Sequence, residues 1–264
     1  MDKILLFIPC YNCEKQIVRV IKQLQGEIMQ YLSEVIFVNN RSTDNTESAI
    51  RTALEEAPLC IPVKIMRNNE NYGLGGSHKV AFNYAQGNGF DYVIVLHGDD
   101  QGSISDLLPC IRDGVYRNYD CVLGARFMKG SKLQGYSRFR TFGNVVYDLL
   151  FSAVIGKMVY DLGSGLNLYG VNMLQDGFYK KYKDNLMFNY CMVLGSAYKR
   201  LKMKFVPISW REDDQVSNVK MVSQALTVLG LLASFLFNRR RFVQRDHRDR
   251  LVAQYAATVV FSQN

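Results

Sequence analysis

Val93-Ile94-Val95-Leu96-His97-Gly98-Asp99-Asp100-Gln101 decides the fold: a short, wholly apolar run stops abruptly at an imidazole and two carboxylates. A run this short and apolar reads as a strand buried on both faces, as in a parallel sheet covered by helices. Ile4–Ile8, Val35–Val38, Val63–Met66 and Cys121–Leu123 read the same way. Between them, Glu14–Leu32, Asn45–Glu55, Ser77–Ala85 and Ser105–Tyr116 place apolar residues at helical spacing. The alternation predicts an α/β fold with a mostly parallel sheet, helices on both faces and ligands at the carboxyl ends of the strands. Polar or Gly-bearing segments follow each predicted strand: Pro9–Asn12, Asn39–Asp44, Arg67–Gly76, His97–Gln101 and Gly124–Phe127.

The second half is less regular. Helices are predicted over Phe142–Ile155 and Phe188–Arg200, a Gly-rich turn at Asp161–Gly165 and a strand over Lys204–Pro207. Val219–Phe237 is apolar but interrupted by Ser223, Gln224, Thr227 and Ser234, and it runs into a cluster from Arg239 to Arg250. It is short for a transmembrane helix, which needs about 20 apolar residues. A helix lying in the membrane interface, with arginines reaching lipid phosphates, suits it, as does a packed helix followed by a solvated basic tail.

The 264 residues are 48% hydrophobic and 21% charged, enough for a full core. The net charge of +8 and pI near 9.1 suit nucleic acid, anionic lipid or phosphate-bearing substrates equally, so position must decide. Met1–Pro9 has neither the length nor the cleavage site of a signal peptide, and six scattered cysteines then read as reduced thiols in a cytoplasmic protein. Cys10 and Cys13 have redox or zinc spacing, but no second ligand pair follows them.

Carboxylates at a strand end face the ligand cleft. Asp99, helped by Asp100 or Gln101, is placed to hold a divalent cation against a diphosphate, and an imidazole from His97 would tilt the choice from Mg2+ toward Mn2+. The bland reading is an acidic turn capping a helix near Ser105. Asn71-Tyr72-Gly73-Leu74-Gly75-Gly76-Ser77-His78 enters a helix and either presents backbone N–H groups to a phosphate or is a plain turn. It misses the dinucleotide fingerprint, because His78 stands at the third glycine position.

Phe7–Asn12, Val38–Asp44, Asn71-x-Gly73, His97–Gln101, Gly124–Phe127 and Asp161-x-x-Ser164-Gly165, in this order and spacing, resemble glycosyltransferase family 2, above all its polyprenyl-phosphate branch. The resemblance covers about residues 3 to 220 and implies a GT-A fold over 1–218, with 219–264 as a helical, basic appendage. It implies donor binding by Pro9, Tyr11, Asn12 and Ser42, by Asn71 and Gly73, and by His97 and Gly98. Asp99 becomes the principal ligand of Mn2+ or Mg2+, with Gln101 beside it and His97 in place of the usual first acid. Asn40, preceded by Asn39, replaces the family's base-reading acid. Arg126 corresponds to the residue that holds the acceptor phosphate, with Arg138 or Arg140 as companion. Trp210-Arg211, followed by Ser217-Asn218-x-Lys220, resembles the loop that closes over the nucleotide, and Arg211 would offset leaving-group charge. Where relatives have an acidic base this chain has Phe188-Asn189, which favours a phosphate acceptor, although Asp161, Asp213 or Asp214 remains available as a base.

The expectation is therefore an inverting glycosyltransferase, peripheral on the inner face of the cell membrane. It would carry sugar from a nucleotide-sugar donor to a lipid-linked acceptor at an anionic surface, with no nucleic-acid partner and homo-oligomerisation left open. Its rivals are transfer to a sugar hydroxyl of a lipopolysaccharide or capsule precursor, a catalytically silent sugar-nucleotide-binding partner, and a nucleic-acid module resting on the basic tail alone.

Overall fold

The computed structural model describes residues 2–213 and 221–263. The first half alternates as expected: β1 (Ile4–Cys10), α1 (Glu14–Gln23), β2 (Glu34–Asn39), α2 (Thr46–Glu56), β3 (Val63–Asn68), α3 (Gly73–Gly87), β4 (Tyr92–Leu96), α4 (Leu108–Arg112) and β5 (Cys121–Ala125). Then come β6 (Lys132–Gln134), α5 (Arg138–Ile155), β7 (Leu166–Gly170), α6 (Phe188–Tyr198), β8 (Met203–Pro207) and β9 (Ser209–Arg211). The chain ends with α7 (Met221–Phe237), α8 (Arg239–Gln244) and β10 (Ala257–Gln263).

An eight-stranded sheet runs β10-β3-β2-β1-β4-β7-β5-β8, with β7 and β10 antiparallel to their neighbours. Strand β1 sits in the middle, Phe7 lying opposite Ile36 of β2 and Val95 of β4. Every residue of β1 is buried, and the pleat divides them between two cores. Leu5 and Phe7 join the core under α3, α6 and α7, whereas Ile4, Leu6 and Ile8 join the one under α1 and α2. Each such side chain contributes roughly 1.5–3 kcal/mol by leaving water, which is why the apolar runs settle at the sheet centre.

Several boundaries move. The long helix expected over Glu14–Leu32 stops at Gln23, and a 3-10 turn fills Glu27–Tyr31. Helix α3 starts one turn before Ser77, and the helix expected over Ser105–Tyr116 shrinks to Leu108–Arg112 between two 3-10 turns. The largest correction concerns 219–264. Strand β10 returns across the molecule to pair with β3, Thr258 opposite Arg67, so the end of the chain is an edge strand of the sheet and not an appendage. The expected boundary at 218 and 219 lies outside the described residues.

The basic segment is folded back as well. Arg250 pairs with Glu70 at 2.6 Å and Arg248 with Asp246 at 2.6 Å, so these two arginines are structural. Helix α7 is packed along one side: Val228, Leu231, Leu232 and Phe235 are buried in the core, while Leu226, Leu229, Leu236 and Phe237 are exposed. No helix among the described residues is long and apolar enough to cross a membrane.

Candidate active site

Three strands end in residues other than glycine with left-handed backbone: Asn12 after β1 (φ 49°), Arg41 after β2 (φ 63°) and Asp100 after β4 (φ 60°). Such conformations cost about 1–3 kcal/mol each and persist only where the surroundings over-determine them. Here the loops hold one another. Asn12 N–H donates to Ser42 Oγ at 3.1 Å, its Oδ1 accepts from Thr43 N–H at 2.8 Å, and Arg41 Nη2 donates to the Asn69 carbonyl at 2.8 Å.

These loops wall a cavity of about 390 Å³ at the carboxyl edge of the sheet. Of the expected donor residues, Pro9, Tyr11, Asn40, Asn71, Gly73, His97 and Gly98 line it together with Asp99. Asn12 and Ser42 do not; they join the loops behind it. The Asn40 amide is already committed: Oδ1 accepts from Asn68 Nδ2 at 2.8 Å and Tyr72 N–H at 2.9 Å, and Nδ2 donates to Asn71 Oδ1 at 2.9 Å. Asn40 therefore shapes the Asn71–Gly73 turn, and its carbonyl oxygen is already taken by two donors.

The glycines of that turn serve backbone packing. Gly75 N–H donates to the Asp184 carbonyl at 2.7 Å and Gly76 N–H to the same oxygen at 3.3 Å, so neither is presented to a phosphate. A Cβ on Gly73 would lie 2.4 Å from the Asp184 carbonyl oxygen, and one on Gly75 2.4 Å from that of Lys183. The approaching segment is pinned by buried Lys79, whose Nζ donates to the Tyr182 carbonyl at 2.6 Å and to Asp184 at 2.7 Å. It delivers Asn185 and Leu186 to the cavity wall.

The metal-binding expectation concentrates on Asp99. Its side chain is 35% exposed, Oδ1 accepts from Gln101 N–H at 3.2 Å, and Oδ2 lies 4.0 Å from His97 Nδ1. Enclosure by the cleft pushes the Asp99 carboxyl up to about 6, against backbone hydrogen bonds and Arg126 that lower it. Burial, then Arg126, brings His97 down to about 4, so the imidazole is neutral, and its buried Nε2 has no hydrogen-bond partner. Gly165 makes room for the ring, since a Cβ there would lie 2.6 Å from it. No group of three or more His, Cys, Asp or Glu able to hold a metal forms among the described residues. The donor set thus fits a hard cation held by Asp99 and otherwise by oxygens of a diphosphate and water, the habit of Mg2+ and Mn2+.

Gln101 and Asp100 fall elsewhere. Gln101 lines a second cleft of about 640 Å³ with Arg19, Lys132, Trp210 and Arg211, not the donor cavity. Asp100 is fully buried: Arg19 Nε donates to Oδ2 at 2.5 Å, Gln23 Nε2 to Oδ1 at 2.8 Å, and Arg211 Nη2 pairs with Oδ2 as well. Arg211 Nε also donates to the Asp100 carbonyl at 2.9 Å. These bonds anchor Arg211 beside Asp100 and outside the donor cavity, contrary to the expectation that it meets the leaving group. Asp214, Ser217, Asn218 and Lys220 lie outside the described residues.

On the other side of β4, Arg126 and Asp161 form a buried fork: Nε donates to Oδ2 at 2.7 Å and Nη2 to Oδ1 at 2.8 Å. Arg126 N–H and Gly163 N–H add bonds of 2.9 Å each to the carboxylate. Burial alone would lower the Arg126 pKa, but the Asp161 carboxylate overrides it and raises it. Asp161 thus has both oxygens engaged by donors and does not fit the part of a base; it positions Arg126, whose Nη1 stays outside the fork. Arg140 is paired with Glu212 at 2.6 Å, whereas Arg138 is exposed and in no ion pair among the described residues.

Sequence reasoning missed Asp148, on the inner side of α5. Burial, then repulsion by Asp161, pushes its carboxyl up to about 8 against the attraction of Arg126, and Oδ2 has no partner. With the folded pKa above the unfolded one, its contribution to stability falls as pH rises through the window from about 4 to about 8 and is level beyond. Asp148→Asn is expected to raise the melting temperature, by more at pH 8.5 than at pH 5. Thermal melts at the two pH values check this, and an equal shift at both would contradict it.

Residues 6–178 match Glycosyl transferase family 2. The chain belongs to that family. A Methanococcus voltae relative, UDP-N-acetylglucosamine--dolichyl-phosphate N-acetylglucosaminyltransferase, is 24% identical over 66% of this chain and 72% of its own length. Serratia proteamaculans undecaprenyl-phosphate 4-deoxy-4-formamido-L-arabinose transferase is 24% identical over 66% of this chain but 51% of its own length, so this chain spans about half of that protein. Among solved structures, Mycobacterium tuberculosis glucosyl-3-phosphoglycerate synthase with UDP superposes with a TM-score of 0.60 at 13% identity, covering 89% of this chain and 80% of that one. Staphylococcus aureus TarS 1-349 with UDP-GlcNAc gives 0.58 at 18% identity, over 89% and 67%.

This family 2 chain is a glycosyltransferase with the GT-A fold. The sulfurs of Cys10 and Cys13 lie side by side behind Gly98, where a Cβ would come within 3.2 and 3.3 Å of them, and all six cysteines are unbridged. Both thiols line the donor cavity, a role their spacing alone did not announce.

Proposed function

We propose that this family 2 enzyme moves a sugar, with inversion, from a nucleotide-sugar donor to the phosphate of a membrane-borne lipid of the polyprenyl-phosphate type. One observation carries the choice of acceptor: among the described residues, Asp99 is the only carboxylate lining the donor cavity. A sugar hydroxyl needs a general base to take its proton, whereas a phosphate is already ionised. With Asp99 assigned to the cation and Asp161 locked to Arg126, the cavity suits an acceptor that brings its own charge. The relatives named for dolichyl-phosphate and undecaprenyl-phosphate support the same reading.

In this mechanism the donor lies across the ends of β1, β2 and β4 with its diphosphate at Asp99. Mn2+ or Mg2+, when bound, offsets the negative charge that builds on the leaving diphosphate. An acceptor phosphate oxygen attacks the anomeric carbon from the opposite side, the bond to the diphosphate oxygen breaks, and no proton needs to move. Arg126 Nη1, fixed by the Asp161 fork, and the exposed Arg138 hold the acceptor phosphate, and such preorganised charge lowers the barrier without reorganisation. The enzyme works as a peripheral protein on the cytoplasmic face of the membrane.

Nucleotide sugars are first screened by thermal shift with Mn2+, where a donor at one hundred times its Kd adds about 2.7 kcal/mol of stability. The selected donor is then offered with a short polyprenyl phosphate or with the corresponding polyprenol. Transfer is expected to the phosphate alone, with a rate that rises through about pH 6, where phosphomonoesters lose their second proton, and then stays level. Transfer to the alcohol, or a rate that keeps climbing to pH 9, would point instead to base-assisted attack by a hydroxyl.

A further inference from the structure

Helix α5 carries an exposed apolar stripe: Phe139, Phe142, Val146, Leu149 and Leu150 recur at helical spacing, and Phe139 and Phe142 are 72% and 69% exposed. Helix α7, packed beside it, exposes Leu226, Leu229, Leu236 and Phe237, the last of them 85%. Arg239 Nη2 donates to the Val154 carbonyl at 2.7 Å and so ties the ends of the two helices together, bringing both stripes to one corner of the molecule. Paired stripes of this size on a folded surface mark a contact site.

The corner is cationic. Lys157, Arg240, Arg241 and Arg245 make no ion pair among the described residues, in contrast to Arg248 and Arg250, and neither does Arg138 at the far end of α5. Arg241 and Arg245 are one helical turn apart and, with Ser234, Phe237, Asn238 and Phe242, enclose a cleft of about 230 Å³ between α7 and α8. Two guanidinium groups beside a hydroxyl and an amide suit a phosphodiester, and Phe237 continues the cleft into the apolar stripe.

We propose that the outer face of α5 and α7 seats on an anionic bilayer and that the cleft between α7 and α8 takes the phosphate of a membrane lipid. An apolar strip that merges into unpaired arginines matches the boundary between acyl chains and anionic headgroups. A second copy of the chain fits less well, because a two-fold contact through this face would bring like cationic patches together. The inference rests on the reading of a membrane-borne acceptor and adds how the enzyme would meet it. The inner face of α5, at Asp148 and Phe151, lies against the Arg126–Asp161 side of the site, so a bilayer on the outer face brings lipid headgroups to the acceptor half.

The test is co-flotation of the full chain with vesicles of phosphatidylcholine, alone or mixed with phosphatidylglycerol. Three proteins are compared: the intact chain, Arg241→Gln/Arg245→Gln, and Phe142→Ser/Leu149→Ser. The intact chain is expected to prefer the anionic vesicles. The arginine variant should bind those about thirtyfold more weakly, from about 1 kcal/mol per basic residue, and lose most of the preference. The serine variant should bind both vesicle types less well. The substituted side chains are exposed or line the small cleft, so melting temperatures should match, and donor binding with Mn2+ should be unchanged. Because flotation requires neither donor nor acceptor, it stands or falls apart from the proposed reaction. Equal flotation of all three proteins, or none by the intact chain at low salt, overturns the proposal. So does a dimer that the serine variant disperses without any vesicle binding. Saturation of Arg241 and Arg245 by inorganic phosphate, with no preference for anionic vesicles, would reassign the cleft to a soluble anion.

Discussion

Asp99→Asn is expected to lower transfer about a hundredfold to a thousandfold, the scale on which single preorganised electrostatic groups act, while the fold stays intact. The carboxylate supplies the charge that a hard cation needs, and an amide of the same shape does not. Stability should move the other way. The cleft holds the Asp99 carboxyl near 6, above its ordinary value of 3.8, so the folded state disfavours the ionised form. That cost grows as pH rises through this window and is complete above it, so in EDTA at pH 7.5 the Asn variant should melt at or above the temperature of the parent. Cation binding must displace the proton, so the Mn2+ concentration giving half-maximal rate in the parent should climb as pH falls below about 6. Turnover in Asp99→Asn that keeps its Mn2+ dependence would remove Asp99 from the metal site, and a collapsed melting temperature would make it structural.

Sequence reasoning finds this site because apolar strands and their polar ends are local signals. β1, β2, β4 and β5 are buried on both faces, so composition alone marks them, and the residues that follow fall at one edge of the sheet by topology. β7 escapes notice because Asn167 interrupts it; inside the fold that amide donates to the Ser164 carbonyl and accepts from Gly124 N–H. β10 escapes because it is an edge strand whose partner, β3, lies far away in sequence, and only tertiary contact sets its register. The start of α3 is misread for an energetic reason. Glycine costs a helix about 1 kcal/mol per residue relative to alanine, so Gly73–Gly76 reads as a turn. The structure needs glycine there because the backbone at 183–185 leaves no room for a side chain.

The partners of the site residues are harder still to foresee. Nothing near Asp100 in sequence shows that Arg19 and Gln23 will hold it, and nothing near Asn40 shows that Asn68 and Tyr72 will use up its carbonyl. Residue type suggests what a side chain can do, whereas its availability depends on what the fold brings against it. Asp99 lines an open cavity while Asp100, adjacent in sequence, is sealed between two arginines.

Asp161→Ala is expected to destabilise the protein by about 3–5 kcal/mol, the usual result of stranding one member of a buried ion pair. Arg126 is only 10% exposed and Asp161 1%, so the guanidinium left behind has little access to water. Trp210 and Phe127 rings stand about 5 Å from it, at 4.9 and 5.0 Å, and offer a partial substitute at best. In the proposed mechanism transfer should fall along with stability, because Arg126 loses the fork that would aim Nη1 at the acceptor. The two effects separate in the double variant Arg126→Met/Asp161→Leu, since apolar replacement of a buried pair is often neutral or stabilising. Urea melts are expected to show most of the lost stability restored in the double variant, while transfer to polyprenyl phosphate stays low and donor binding with Mn2+ is retained. Recovery of transfer together with stability would make the pair a packing element alone, and loss of donor affinity in a stable double variant would place Arg126 in the donor half of the site.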